Sequence, residues 1–208
     1  MATLVLIRHA QTDSNLAGPQ PRMSGWTDIP VNAPGRAQLE RLRERLAHEP
    51  PFAALYTSPL TRAQETAAMI TATSGIAAQL EPDLREIFCG DVDGQPIEVV
   101  RREHRVAWAR NEQQRDDDFR WPGGESYREL RSRCLRAIAA IAARHPNARI
   151  AVVTHAGAIT QVLGAIHGYA PARWEPFRAG NTSLTEIRWR DGRGELIRFD
   201  DHRHLQDE

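Results

Sequence analysis

The sequence predicts a layered α/β fold with a mostly parallel sheet, and three observations carry that prediction. Two short apolar runs, one ending Leu6-Ile7-Arg8-His9-Ala10 and the other reading Ile150-Ala151-Val152-Val153-Thr154, each stop at a histidine, His9 and His155. Such runs of Val, Ile and Leu read as strands buried on both faces, which belong to parallel sheets covered by helices. Between them, helical patterns alternate with further short strands, the signature of layered α/β folds. In open sheets of this kind ligands collect at the carboxyl ends of the strands, so the two histidines are placed to meet in one pocket.

The first strand is expected over Thr3 to Ile7. A polar stretch follows as far as Pro34 and contains Gly18, Pro19, Pro21, Gly25 and Pro30. It reads as a long surface loop, and loops of that length inside a compact domain are usually functional. From Gly35 to His48, Leu39, Leu42 and Leu46 recur at helical spacing until Pro50-Pro51 stops the pattern. Ala53 to Tyr56 is a short second strand. Ser58-Pro59 opens a helix running to about Thr73, with proline near the first turn. An edge strand is expected near Ala78 to Leu80, and a basic helix from Pro96 to Asn111.

Arg115-Asp116-Asp117-Asp118 breaks that regularity before Pro122-Gly123-Gly124, and the acidic triplet reads as a solvated turn. Ser126 is a candidate N-cap for a long helix whose inner face is Tyr127, Leu130, Cys134, Ile138 and Ile141. The Ile150 to Thr154 strand comes next, then an apolar helix from Ala158 to Ile166. Ser183 to Trp189 and Glu195 to Phe199 form a hairpin around Asp191-Gly192.

With 208 residues the chain suits a single domain, 1–208, with no second core required. Lysine plus arginine and aspartate plus glutamate each number 27, giving zero formal net charge, so no nucleic-acid partner is expected. The initial apolar run is too short for a secretory signal and is broken by Arg8. Nothing later resembles a membrane span, so no membrane partner is expected and the expected location is cytoplasmic. Cys89 and Cys134 are far apart and read as buried small hydrophobes. None of the 8 histidines stands in a zinc-type spacing, so neither metal nor cofactor is called for. The His202-Arg203-His204 tail reads as a solvated terminus. A sheet edge or the apolar Ala158 to Ile166 helix could pair in a homodimer, and burial within one subunit explains both equally well.

Three strand ends carry candidate chemistry. A neutral imidazole at His9 can attack phosphorus, and the Arg8 guanidinium beside it can grip two phosphate oxygens in a fixed fork. Thr12 and Asn15, close behind, can add hydrogen bonds to the same anion. In Thr57-Ser58-Pro59-Leu60-Thr61-Arg62-Ala63 a strand end leads into a helix whose amides and dipole favour an anion, and Arg62 can lean back toward it. His155-Ala156-Gly157 is another strand-to-helix junction, with small residues that let backbone amides approach a ligand. Taken singly, each feature also suits an ion pair, a surface arginine or a capping histidine.

Together they resemble the histidine phosphatase superfamily, the phosphoglycerate mutase-like proteins, over nearly the whole chain. The resemblance runs, in the family's order, through Leu6 to Asn15, Gly25-Trp26-Thr27-Asp28-Ile29-Pro30 and Thr57 to Ala63. It continues through Leu84-Arg85-Glu86-Ile87, Pro122-Gly123-Gly124-Glu125-Ser126 and Val153-Thr154-His155-Ala156-Gly157. It implies a three-layer α/β/α sandwich and a cap segment at 94–122. It further implies a metal-free phosphatase in which His9 is phosphorylated while Arg8, Arg62 and His155, helped by Asn15, hold the phosphoryl oxygens. Glu86 would protonate the leaving oxygen and then deprotonate water. Cations near His9 should keep its imidazole neutral, whereas burial and those cations would pull Glu86 in opposite directions.

Two departures stand out: Ala10-Gln11 replaces the family's usual Gly-Glu, and Glu65 replaces a common Gln. Neither alters a phosphate-gripping side chain. The family's mutases carry a longer insertion after the acid glutamate, with an arginine pair for the substrate carboxylate. This chain has Arg101-Arg102-Glu103-His104-Arg105 there instead, which favours hydrolysis of a small phosphorylated metabolite. A 2,3-bisphosphoglycerate-dependent phosphoglycerate mutase, an α-ribazole phosphatase and a non-catalytic phosphoryl-binding scaffold remain the alternatives. The basic segment, with Trp108 and Trp121, could select the leaving group or simply be a solvated helix with packed stems.

Overall fold

A computed structural model describes residues 1–15 and 21–206. Gly18 and Pro19, part of the expected long loop, lie outside the described residues. In chain order the elements are β1 (Ala2–Arg8), α1 (Ala33–Ala47), β2 (Ala54–Thr57), α2 (Thr61–Ser74), β3 (Ala78–Leu80), α3 (Ile97–Glu103), α4 (Arg105–Glu112), α5 (Tyr127–Arg144), β4 (Arg149–Thr154), α6 (Ala156–Ile166), β5 (Leu184–Arg190) and β6 (Arg193–Asp201). The six strands form one sheet in the order β3-β2-β4-β1-β5-β6. β3, β2, β4 and β1 pair in parallel, whereas β5 runs antiparallel to both β1 and β6.

The two-sided apolar runs have a direct cause. Leu4 and Leu6 of β1, Tyr56 of β2 and Ile150 and Val152 of β4 pack with Leu130, Ile138 and Ile141 of α5 and with Ile159 and Leu163 of α6. Val5, Ile7, Leu55, Ala151 and Val153 point the other way, onto Leu42 of α1 and Ala63, Ala67 and Ile70 of α2. Alternate residues of each strand therefore feed opposite layers, and each buried Leu or Ile contributes about 1.5–3 kcal/mol. This is an α/β/α sandwich. The apolar residues of α6 are buried inside the same chain, with Ala158 to Gly164 all buried, so the intramolecular core accounts for them.

β1 and β4 are adjacent, Arg8 opposite Thr154. β1 leads toward α1 on one face of the sheet and β4 into α6 on the other, which makes their carboxyl ends the switch point where open α/β sheets bind ligands. Ser126 caps α5 with a reciprocal Glu129 bond. Asp191 and Gly192 close the β5–β6 hairpin with φ of 50° and 75°, the two positive values a tight primed turn requires.

Several expectations change. α2 begins at Thr61 rather than Ser58, putting Arg62 in its first turn, and α6 begins at Ala156, two residues early. The basic helix is broken at His104, whose φ of −114° and ψ of 41° leave the helical region. The acidic triplet is tied down rather than free. Asp117 accepts a bond from the Ala172 amide, Asp116 pairs with Arg110 and Asp118 with Arg128. The histidine tail is docked too: His204 Nε2 shares a 3.0 Å bond with the Thr182 hydroxyl, and burial pulls its pKa down to about 4. Cys89 and Cys134 are buried, and burial raises both thiols. No helix among the described residues is long and apolar enough to cross a membrane.

Candidate active site

His9 follows β1 directly, its amide donating to the Thr154 carbonyl at 2.9 Å, so the β1–β4 ladder itself sets the ring's position. The side chain is buried, and Nδ1 lies 2.7 Å from the carbonyl oxygen of Ala10. A carbonyl can only accept, so Nδ1 must carry the proton and Nε2 keeps a free lone pair. The His9 pKa lies well below the ordinary histidine value. Burial is the foremost cause and the charges of Arg8 and Arg62 come next, so charge proximity is the secondary reason for a neutral imidazole. Ala10 takes a negative φ, which explains how a residue with a side chain fits where the family usually has glycine. Its amide is held by Thr66 Oγ1.

Three buried nitrogens beside the His9 ring, Arg8 Nε, Arg62 Nε and His155 Nδ1, have no partner among the described residues. An unpaired buried polar group costs about 1–3 kcal/mol, and two guanidinium N–H donors with a third ring nitrogen beside one nucleophile fit an oxygen-rich anion. Arg62 is fully buried and its outer nitrogens are fixed, Nη1 on the Thr27 carbonyl at 3.0 Å and Nη2 on the Gly25 carbonyl at 2.7 Å. Gly25 is needed there because a Cβ would run into the Ile87 carbonyl. Asp93 holds this loop through the amides of Gly25, Trp26 and Thr27. Glu65, the departure from the family's glutamine, accepts from the Val31 amide. Arg8 Nη1 donates to the Ala179 carbonyl at 2.8 Å. The His155 ring centre lies 5.1 Å from that of His9.

Glu86 sits at the amino end of α6. Its Oε2 accepts from the Gly157 amide at 3.0 Å and its Oε1 from its neighbour Ile87 at 2.8 Å. Ala156 is the first residue of α6, where the helical ladder leaves amides unused. Asn15 Oδ1 accepts from the Thr12 amide, the Thr12 hydroxyl and Asn181 Nδ2, which leaves the Asn15 Nδ2 donors for another acceptor. Thr12, a candidate to touch the anion, is fully buried, and its two bonds to Asn15 Oδ1 orient that side chain.

Reasoning from the sequence missed four residues that build this site. Asn181 ties Asn15 to the His9 carbonyl at 2.9 Å. Arg133, buried on α5, donates to the carbonyls of Asp83, Arg85 and Glu86 and pairs with Glu125, so the Pro-Gly-Gly-Glu-Ser motif serves to clamp the segment that presents Glu86. Gly157 is required because a side chain there would strike the Glu86 carboxylate. Ser58 bonds His155. A buried arginine in an otherwise apolar helix face was the visible signal for Arg133; Asn181 offered none. Trp26 anchors its loop, its Nε1 donating to the Glu86 carbonyl at 2.7 Å, and Trp121 is buried in a small core with Phe119, Val92 and Val100. No three His, Cys, Asp or Glu side chains among the described residues are arranged to hold a metal ion.

Comparison with known proteins places the chain in a family. The model of the histidine phosphatase superfamily (branch 1) matches residues 4–202. The chain is 34% identical over 195 residues to phosphoglycerate mutase-like protein 4 of Arabidopsis thaliana, covering 92% of this chain and 81% of that one. It is 32% identical over 203 residues to a metal-independent phosphoserine phosphatase of the same plant, covering 97% and 82%. Among solved structures, Bacillus stearothermophilus YhfR superposes with a TM-score of 0.88 at 28% identity, covering 99% of this chain and 100% of that one.

Proposed function

Because the chain belongs to the histidine phosphatase superfamily, we propose that this phosphoric monoester hydrolase cleaves small phosphomonoesters without a metal, through a phosphohistidine on His9. One observation carries the reading. Nδ1 of His9 is committed to the Ala10 carbonyl, so the free lone pair is on Nε2, beside the buried Arg8 Nε, Arg62 Nε and His155 Nδ1, which lack partners among the described residues. Nε2 attacks phosphorus and the phosphorus–oxygen bond of the ester breaks. Arg8, Arg62 and His155, with Asn15 Nδ2, stabilise the charge on the equatorial oxygens. Glu86 gives its proton to the departing alkoxide. In the second half Glu86 takes a proton from water, the hydroxide displaces the imidazole, and inorganic phosphate leaves.

The chain is read as one domain, 1–208, with 94–122 as the cap over the site. The small core of Cys89, Val92, Val100, Phe119 and Trp121 joins that segment to Met23 of the loop that holds Arg62. The names of the relatives make phosphoserine and 3-phosphoglycerate the first substrates to test. Rapid quenching with labelled substrate should trap a phosphoenzyme in the wild type and none in His9→Ala. Equal, slow hydrolysis of an activated aryl phosphate by both proteins would refute the enzyme reading. Isomerisation of 3-phosphoglycerate that requires its 2,3-bisphosphate would replace hydrolysis with mutase chemistry.

A further inference from the structure

Ser58 lies at the end of β2 and is completely buried, yet nothing in the proposed chemistry uses it directly. Its Oγ is 2.8 Å from Nε2 of His155 and 3.3 Å from the amide of Leu60, an N–H that can only donate. With one lone pair engaged by Leu60, the hydroxyl proton has His155 Nε2 as its acceptor. We propose that Ser58 is a positioning residue that holds His155 in the tautomer with the proton on Nδ1, so that this nitrogen donates to the phosphoryl group. The chain of donors then runs Leu60 amide to Ser58 Oγ, Ser58 hydroxyl to His155 Nε2, and His155 Nδ1–H to the anion. Each bond polarises the next.

The opposite tautomer is the costlier one. A proton on Nε2 would leave a bare lone pair on Nδ1, which is buried and without a partner among the described residues, where the anion's oxygens belong. It would also make Ser58 Oγ an acceptor twice over, with its own hydrogen undirected. The choice matters because His155 has only one N–H to give. Burial above all, then Arg62, His9, Arg133 and Arg8, holds its pKa well below the ordinary histidine value, so the ring is neutral near pH 7.

The catalytic consequence rests on the phosphatase reading above; the tautomer itself does not. Long-range proton–nitrogen NMR on protein with labelled histidine, at neutral pH and without substrate, should show His155 protonated on Nδ1. In Ser58→Ala that preference should be lost, and kcat/KM should fall on the order of 10²-fold, as when one transition-state donor is removed. Ser58→Thr keeps the hydroxyl and should restore the Nδ1 tautomer. Asp28→Ala loosens the same end of α2, since Asp28 holds the amide and hydroxyl of Thr61, and should leave the His155 signals unchanged. A wild-type His155 protonated on Nε2, or a Ser58→Ala protein with unaltered tautomer, would overturn the proposal. The expected tautomers in a protein that turns over no phosphomonoester would overturn the phosphatase reading alone.

Discussion

Replacing Gly157 by alanine should disable the proton donor while leaving the fold intact. A methyl group built on Gly157 overlaps Oε1 of Glu86 and lies 3.0 Å from its Cδ and 3.3 Å from Oε2. Atoms in ordinary contact rest at about 3.5–4.0 Å, and Oε1 is the closest of the three, so the carboxylate must retreat by at least about 1 Å. Because the clashing atoms are the far end of a flexible side chain, the backbone need not move. The retreat also breaks or lengthens the 3.0 Å bond from the Gly157 amide. A misplacement of about 1 Å at a reacting group costs on the order of 10²-fold, or about 2.7 kcal/mol of barrier. The loss should depend on the leaving group. An alkyl phosphomonoester such as phosphoserine needs a proton on its departing oxygen, whereas an activated aryl phosphate scarcely does. Steady-state kinetics on both substrates, with thermal unfolding as the control, tests this. Gly157→Ala protein with wild-type kcat/KM on the alkyl ester, or an equal loss of kcat/KM on both substrates, would refute the assignment of Glu86 as the acid, since kcat/KM reports only the half-reaction in which the leaving group departs.

Removing Arg133 should loosen the segment that presents Glu86. Arg133→Ala leaves Glu125 partly buried without its partner and uncovers three carbonyls, a loss of about 3–5 kcal/mol, which lowers Tm by on the order of 10 °C. Calorimetry on Arg133→Ala and on the paired Arg133→Met, Glu125→Leu variant should show stability returning in the pair without activity. Acid should destabilise the protein through its two buried imidazoles. Both pKa values are depressed in the folded state, so the unfolded chain binds more protons and stability falls as pH drops below about 6.5, by up to about 1.4 kcal/mol per pH unit per histidine. Urea unfolding of wild type and His9→Gln between pH 7.5 and 5.5 should show a shallower decline in the variant; parallel curves would contradict the burial argument. For the same reason kcat/KM should not lose activity to protonation of His9 at pH 6.5. EDTA should leave turnover unchanged, and full loss reversed by a divalent ion would contradict a metal-free mechanism.

The residues that bear the chemistry were legible because their signals are local. The apolar runs before His9 and His155 come from a strand period that any chain buried on both faces must show, and they marked the two strand ends that the fold places side by side. Arg62 and Asn15 were legible at their strand ends, whereas Glu86 could be named only from the resemblance. Helix ends were less legible, since Ser58-Pro59 looks like a start while the ladder begins at Thr61. Only the tertiary structure decided who supports whom. Thr12 donates to Asn15, Asn181 reaches the His9 carbonyl across 172 positions, and the Gly157 amide reaches Glu86 across 71. Sequence patterning reports which side chains must leave water. Which polar atom meets which, and therefore which imidazole nitrogen keeps its proton, follows from packing geometry between segments far apart in the chain, where no local period records it.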